Sequence, residues 1–449
     1  MGTAFFPLDE ALGLLPGQCT PRLYEGLVLL SAWMPFGRAV RTLATLLGVQ
    51  ISKASAVRAT ETAGAAYVAL QTAEVVRLER ETPPAPAGAD CMVVSADGAM
   101  VPLRGGEWGE VRTLAIGVVS PPEPAPPGAA LRHTEAITYF SRFTTAEAFT
   151  QQALVETHRR GLENAGQVAA VMDGAEWLQG LADHHCPRAL RILDFAHAAQ
   201  HIAAIGQALW PANSTQANST QANSTQANST QANSAQANSA QANSAQANST
   251  QAAAWITQWT HRLKHEGPQP LLAELRQLQA HFPDCEPLCD NYAYLAKREA
   301  QLRYPEFVQQ GWPIGSGMVE SANKSVVEAR LKGAGMHWRR THVDPMLALR
   351  NLVCNDRWAQ EWPQIHAQLL AQAKTARMQP CRQRLHERRS RQLEATLAAQ
   401  RTQFAARHPE WTTDTPPPPP KPKSSKPAPD HPWRRAQFGR AKYRQNPKL

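Results

Sequence analysis

The sequence predicts an α/β core of five short strands, interrupted by a long helical stretch, preceded by a helical region and followed by a basic, proline-rich tail. Three observations carry this reading. Two short apolar runs end in the same dipeptide, Asp97-Gly98 and Asp173-Gly174, as buried central strands do where they leave a sheet. Around them the apolar spacing alternates between the period of a strand and that of a helix. A Pro/Ala segment, residues 81–89 (ETPPAPAGA), sets this region apart from the helical residues 1–80.

Composition narrows the class. The chain of 449 residues is 43% hydrophobic, enough for a sizeable core and two or three domains. It holds no apolar run of about eighteen residues, so no membrane span is expected. No basic segment followed by an apolar stretch opens the chain, and its seven cysteines are scattered; both fit a reducing, cytoplasmic setting. Charge is uneven. From Lys374 onward there are 18 Lys and Arg against 5 Asp and Glu, a net of +13, so the remainder carries about −4 of the total +9. A basic tail of this kind fits nucleic acid, and equally any anionic surface.

Within residues 1–80 the informative part is Ala39–Glu61. Ala44 lies four residues before Gly48, and Ala54 and Val57 lie six and nine after it, the spacing of a helix-turn-helix. Ser52 is placed to cap the second helix, leaving Lys53, Ser55 and Arg58 exposed to DNA. A plain helical hairpin in a bundle has the same pattern. Past the 81–89 linker, strands are predicted at 91–98, 110–119 and 135–143, a helix at 145–162, a strand at 168–174 and a helix carrying Trp177. A fifth strand, 189–195, ends in an acid, Asp194, and opens a helix with His197 and His201. Asp97 and Asp173, 76 residues apart in sequence, are then expected side by side at the carboxyl ends of buried strands.

Residues 198–312 read as mostly helical. They are interrupted at 213–252 by eight tandem pentapeptides, NSTQA or NSAQA, whose only apolar side chain is alanine, and which read as a disordered or weakly helical spacer. Trp210, Trp255 and Trp259 flank the array and mark where packed helices stop and resume. Asp183-His184-His185-Cys186 and the pair Cys285 and Cys289 have ligand-type side chains without a second pair at zinc spacing, and read as loop residues. Glu107, Glu110 and Glu176 read as surface acids. The tail from Thr412 is expected to be disordered with polyproline character.

The remaining stretch is Ile314–Leu331. A Gly-Ser-Gly turn enters a helix with an apolar stripe, while Glu320, Lys324 and Glu328 repeat at four-residue spacing. Glu320 is either half of an ordinary surface pair with Lys324 or a carboxylate delivered to a site. Phosphodiester cleavage and strand transfer need an activated oxygen nucleophile and charge neutralisation on phosphate, which two divalent ions about 4 Å apart can supply. Two Asp and one Glu suffice to hold Mg²⁺, and Asp97, Asp173 and Glu320 fit those roles.

The segments 96–119, 171–185, 192–202 and 315–340 (GSGMVESANKSVVEARLKGAGMHWRR) resemble the Kra-type insertion-sequence transposases. These are DDE enzymes with a ribonuclease H-like core, related in architecture to Mutator-like elements. The resemblance implies a mixed five-stranded sheet with a first core part at 90–197, an all-α insertion at 198–312, a second core part at 313–360 and a basic helical region at 361–411, before the tail at 412–449. It implies that Asp97, Asp173 and Glu320 are the catalytic acids holding two Mg²⁺ or Mn²⁺ ions, and that Asp194 and His197 form the Asp/Cys-x-x-His element beside them. Asp194 is then either a metal ligand or a fixer of DNA and metal geometry, or else a helix N-cap that only orders the local turn. His197 is expected to contact phosphate or to orient Asp194. Lys324, Arg330, Lys332, Arg339 and Arg340 are expected on DNA together with Lys53 and Arg58; Trp338 either stacks on DNA or belongs to the core. The partners implied are terminal inverted repeats, target DNA and a second copy of the chain in a homodimer or higher oligomer, in a nucleoid-associated prokaryotic setting. The same acids would serve a nuclease without strand transfer, and the basic surfaces alone a non-catalytic DNA-binding protein.

Overall fold

A computed structural model describes residues 13–15, 19–120, 133–211 and 231–407. The first part of the pentapeptide array and the tail from Thr412 lie outside the described residues. Residues up to Ala376 form one compact unit and those from Arg377 a second.

The strands are β1 (Cys91–Pro102), β2 (Trp108–Val119), β3 (Thr134–Arg142), β4 (Gln167–Met172) and β5 (Leu190–Leu193). They make a single mixed sheet in the order β3-β2-β1-β4-β5. β2 is antiparallel to β1 and β3, while β1, β4 and β5 run parallel. One expectation needs correction: Asp97-Gly98 does not end β1. The strand continues to Pro102, and the tight turn falls at Gly105 and Gly106, with φ of 93° and 83°, where glycine adopts the left-handed region at no steric cost. Gly98 stays inside the hairpin opposite Arg112. Asp97 is nonetheless at an end, because the parallel ladder from β1 to β4 stops at Val94 and Ala170.

Apolar residues on β1 and β4 alternate between two covers, as buried strands require. Met92, Val94, Ala96, Ala170 and Met172 pack with Phe149 and Ala153 of α4 (Ala146–Arg159) and with Leu178 and Leu181 of α5 (Glu176–His185). The other face, with Val93, Ala169 and Val171, is covered by α6 (Phe195–Leu209) and the insertion helices α7 (Gln231–Glu266), α8 (Pro268–His281), α9 (Glu286–Lys297) and α10 (Tyr304–Gln309). Further along that same face Ala99, Val101 and Val111 meet Val326, Val327 and Leu331. Asp97 and Asp173 share the parity of this second face, and they fall where the insertion helices give way to the segment that follows Glu320.

The described residues on either side of 212–230, within the array, come back to one place. Asn248 donates to the Pro211 carbonyl at 3.3 Å, and Trp210 lies 5.9 Å from Trp255, so the chain leaves and re-enters the packed helices at nearly one point. From Gln231 the array is helical and continuous with α7. This part contains the NSAQA units, where alanine replaces the poorer helix former threonine.

The N-terminal helices α1 (Pro21–Trp33), α2 (Phe36–Leu47) and α3 (Lys53–Glu81) are not set apart from the rest. Tyr24, Val28, Ala63 and Tyr67 share a core with Ala348, Leu349 and Leu352 of α13 (Arg340–Cys354) and with Trp362 and Ile365 of α14 (Trp358–Arg407). Gly64 makes the closest approach: a Cβ there would lie 2.1 Å from the Pro345 carbonyl oxygen. The 81–89 linker is likewise tied down, its Ala85 and Pro86 carbonyls accepting from Asn164 at 2.8 and 3.0 Å. Along the edge strand β3, Asn351 of α13 and its C-cap Asn355 each pair with the backbone, at Ser141 and Tyr139 respectively. A helix thus covers an edge that would otherwise present unpaired backbone groups.

Candidate active site at the seam of the sheet

The β1–β4 register pairs residues at an offset of 76, Val94 with Ala170, and the same offset carries forward to Asp97 and Asp173. Asp173 follows the last residue of β4 and accepts from the Ala175 N–H at 2.8 Å, which fixes its side chain across the turn into α5. Asp97 is half-buried. One of its oxygens accepts from the Gly98 N–H at 2.7 Å and the other from Asn323 Nδ2 at 2.9 Å. Burial pushes the Asp97 carboxyl above its ordinary range, and the charges of Asp173 and Glu320 push it further, against the lowering effect of the Gly98 and Asn323 hydrogen bonds. Asp97 therefore lies within the field of both other predicted acids.

Glu320 is exposed on α11 (Gly317–Ala322). The helix docks through Val319 and Ala322 against Ala115 of β2, with Met318 beside them. It does not continue as a regular α-helix to Leu331. Asn323–Glu328 is π-helical, and α12 (Ala329–Leu331) completes it. The wider turn breaks the even four-residue spacing of Glu320, Lys324 and Glu328, while Asn323, four residues after the buried Val319, faces inward and is 7% exposed. Such single π turns occur often at functional sites. The carbonyls around it are taken by Arg350, which donates to Val326 and Ser325 and also to Ala32 at the end of α1. A buried guanidinium thus ties the N-terminal helices to the segment carrying Glu320.

Asp194 is also a helix cap. Its Oδ2 accepts from the His197 N–H at 2.9 Å, while its Oδ1 accepts from the Ser316 N–H at 2.7 Å. Ile314 accepts from the Phe195 N–H at 2.9 Å. Asp194 therefore stitches the end of β5 to the Gly-Ser-Gly turn that launches α11. The His197 ring does not orient Asp194, since only its backbone does; the ring lies 3.2 Å, Nε2 to Nε2, from His201.

His201 leads to residues that sequence reading missed. It is stacked on Tyr294 of α9, centroids 3.9 Å apart, and its Nδ1 lies 2.5 Å from Asn291 Oδ1. Arg298 covers the other part of Tyr294 at 3.7 Å and donates to the Gly174 carbonyl at 2.6 Å. Burial, His197 and Arg298 hold His201 below its ordinary value, with Asn291 opposing. The helical insertion thus grips the residue after Asp173. Nothing local in the sequence ties Tyr294 or Arg298 to a site more than a hundred residues upstream. Asn323 did leave a signal, as a lone amide between the apolar Ala322 and Val326.

The basic residues divide. Lys53, Arg58, Lys324, Arg339 and Arg340 are exposed. Lys332 pairs with Glu328 at 2.6 Å. Arg330 corrects the expectation of a DNA contact: it is 1% exposed, donates to the Ser31 carbonyl at 2.9 Å, packs over Phe36 and Trp338, and burial lowers it to about 10. Trp338 belongs to the core, its indole N–H bound to the Leu331 carbonyl at 3.1 Å. Lys53, Arg104 and Arg339 line a cavity of about 290 Å³ together with the His342–Glu61 pair, 2.7 Å apart. In the proposed helix-turn-helix, Gly48 is left-handed with φ of 68° and Ser52 accepts from the Ser55 N–H at 3.0 Å. The apolar positions differ, however. Leu47 and Ala54 are exposed, and α3 buries Ala56, Thr60 and Ala63 instead, because the face presented to α1 and α13 is a different stripe.

A second cavity, about 620 Å³, lies at the opposite end of β4 and β5, lined by Gln167, His184 and Leu190, and contains none of the three predicted acids. His185 there is partly buried, its Nε2 2.7 Å from the Thr150 carbonyl, and desolvation pushes it down to about 4, so it is neutral. Among the described residues, no three His, Cys, Asp or Glu side chains are gathered closely enough to form a metal cage. The donor chemistry at the seam still suits a hard divalent cation: Asp97, Asp173, Glu320 and Asn323 offer carboxylate and amide oxygens, with no thiol or imidazole among them. Among the described residues no helix is long and apolar enough to cross a membrane. Compared with protein-family models and with curated proteins, the chain matches none.

Proposed function

We propose that this chain is a metal-dependent DNA transposase with a ribonuclease H-like core, similar to the Kra-type insertion-sequence enzymes. The observation that carries the reading is the placement of Asp97, Asp173 and Glu320: two acids three positions beyond the last paired residues of adjacent parallel strands, and a third on a later helix docked to the same face, with Asp97 in the field of both others. The sheet order, with antiparallel β3, β2 and β1 leading into parallel β1, β4 and β5 and a helical insertion before the Glu-bearing helix, supports it further.

Asp97, Asp173 and Glu320 would hold Mg²⁺ or Mn²⁺, which when bound supplies charge neutralisation on phosphate and an activated oxygen nucleophile. The protein groups do the positioning. Gly98 and Asn323 aim Asp97, Ala175 aims Asp173, and Asp194 fixes the turn from which Glu320 projects. In the first reaction water attacks a phosphodiester at the element end, and the P–O3′ bond breaks to free a 3′-hydroxyl. In the second that hydroxyl oxygen attacks a target phosphodiester, a new P–O bond forms, and the target 3′-oxygen leaves with the proton. Lys53, Arg58, Arg339 and Arg340 neutralise backbone phosphates, and the helix-turn-helix-like start of α3 faces the terminal repeats, with a homodimer or higher oligomer joining two ends.

The test is cleavage and joining of end DNA by the purified full chain in Mg²⁺ or Mn²⁺. The expected result is activity that is lost in Asp97→Asn. Undiminished activity in Asp97→Asn would overturn the assignment.

A further inference from the structure

We infer that Asn323 is a fourth member of the acid site, clamping Asp97 through Nδ2 and presenting Oδ1 as a neutral oxygen ligand to the divalent cation. The inference rests on the acid-site reading above. Three observations carry it. Asn323 is more than nine-tenths buried, at 7% exposure, on the side of the helix that faces β1. Its Nδ2 donates to Asp97 Oδ2 at 2.9 Å. Its Oδ1 is buried and has no hydrogen-bond partner.

The orientation of the amide follows from its neighbour. Asp97 already takes the Gly98 N–H on Oδ1, and an ionised carboxylate only accepts, so the NH₂ end must face it. Oδ1, on the same planar amide, is then held next to the carboxylate with its lone pairs unused. A buried acceptor left without a partner is costly, and native structures avoid the cost unless a water, an ion or a catalytic role uses the group. Here the surrounding groups that act on Asp97 are Asp173 and Glu320. Both are acceptors when ionised, so no donor among them satisfies Oδ1. A hard cation does, and amide oxygens are ordinary ligands for such ions alongside carboxylates.

The backbone supports the same reading. Asn323 opens the π-helical segment. Asn323 lies four positions after Val319, which is buried against Ala115 of β2, so the regular turn of α11 itself directs this amide at the sheet, and the π-helical segment it opens carries Val326 and Val327 into the apolar seam. Arg350 holds the turn by taking the Ser325 and Val326 carbonyls.

The experiment measures Mn²⁺ binding to the full chain by calorimetry and by electron paramagnetic resonance, with thermal melting recorded with and without Mn²⁺. Asn323→Ala is expected to weaken Mn²⁺ by at least about tenfold, the low end of what a lost metal-site partner costs. Asn323→Asp places a charged oxygen where Oδ1 stands. It is expected to melt lower than the unsubstituted chain without the ion, through repulsion with Asp97, and to recover when Mn²⁺ is added, with affinity kept or raised. If Asn323→Asp binds as weakly as Asn323→Ala and is not rescued by Mn²⁺, Asn323 acts only through Asp97 and the ligand assignment is overturned. If Asp173→Asn loses Mn²⁺ while both Asn323 variants bind normally, this inference alone fails. If the unsubstituted chain binds no Mn²⁺ saturably, the acid-site reading fails and this inference with it.

Discussion

Asp97 and Asp194 arise from the same sequence pattern, an apolar strand followed by an acid, and the fold uses them in opposite ways. Asp194 is 6% exposed and has both oxygens occupied by backbone N–H groups, from His197 and Ser316. It is a joint between β5, α6 and the turn before α11. Asp97 is more open, shares one oxygen with a side-chain amide and lies within the field of two other carboxylates. The difference teaches that a strand-end acid becomes structural when the chain brings helix and turn N–H groups to it. It becomes chemical when the chain brings other acids.

The largest expected effect lies at Asp97. Asp97→Asn is expected to lower DNA joining by roughly 10³-fold, the scale on which a group stabilising developing charge acts, as read from strand-transfer rates. Stability is expected to move the other way. Burial and the neighbouring acids raise this carboxyl in the folded chain, so the native state holds its proton more tightly than the unfolded one. That contribution is fully present below the unfolded value and is lost as pH rises through the folded value. At neutral pH Asp97→Asn should therefore melt at the same temperature or higher, and a lower melting point would break the contrast with Asp194.

At Asp194 the order is reversed. Asp194→Ala removes a helix cap, about 1 kcal/mol, and strands the Ser316 N–H, about 1–3 kcal/mol; denaturant unfolding should register the sum. Asp194→Asn keeps an acceptor oxygen and should lose less. Equal losses in the two variants would count against the joint.

Gly174→Ala probes the link between the insertion and Asp173. A Cβ there would lie 2.1 Å from Tyr294 Oη and 2.3 Å from Arg298 Nε, so both side chains must move. Cation affinity or activity is expected to fall about tenfold with stability changed by under about 1 kcal/mol; unaltered binding with an unchanged turnover would separate the insertion from the site. The smallest effects concern the cations. Removing Lys53 or Arg339 should each reduce the salt dependence of DNA binding by about one unit of slope, whereas Arg330→Ala should act on stability, because that guanidinium is buried over Phe36 and Trp338.

Much of the fold was legible because strands buried on both faces write themselves as continuous apolar runs, and the Asp-Gly pairs showed where polar groups leave them. The length of β1 was not legible. Asp-Gly reads as a turn in isolation, and only the pairing of Gly98 with Arg112 keeps it inside a hairpin. Arg330 was misread for a related reason: an arginine near a basic cluster looks solvent-facing until two aromatic rings and the end of α1 close around it.

By itself, then, the sequence determined which acids are paired candidates, where the helical insertion and repeat array fall, and which residues cap the helices, since these depend on neighbours a few positions away. Tertiary structure alone decided that Asn323 turns onto Asp97, that Arg298 reaches Gly174, that Arg350 ties α1 to the π turn, and that Asp194 is spent on backbone. Each of those outcomes needs at least one contact between residues 100 or more positions apart, which no local period records: Asp97 meets Asn323 across a separation of 226 residues, Asp194 meets Ser316 across 122, and Arg350 meets Ala32 across 318.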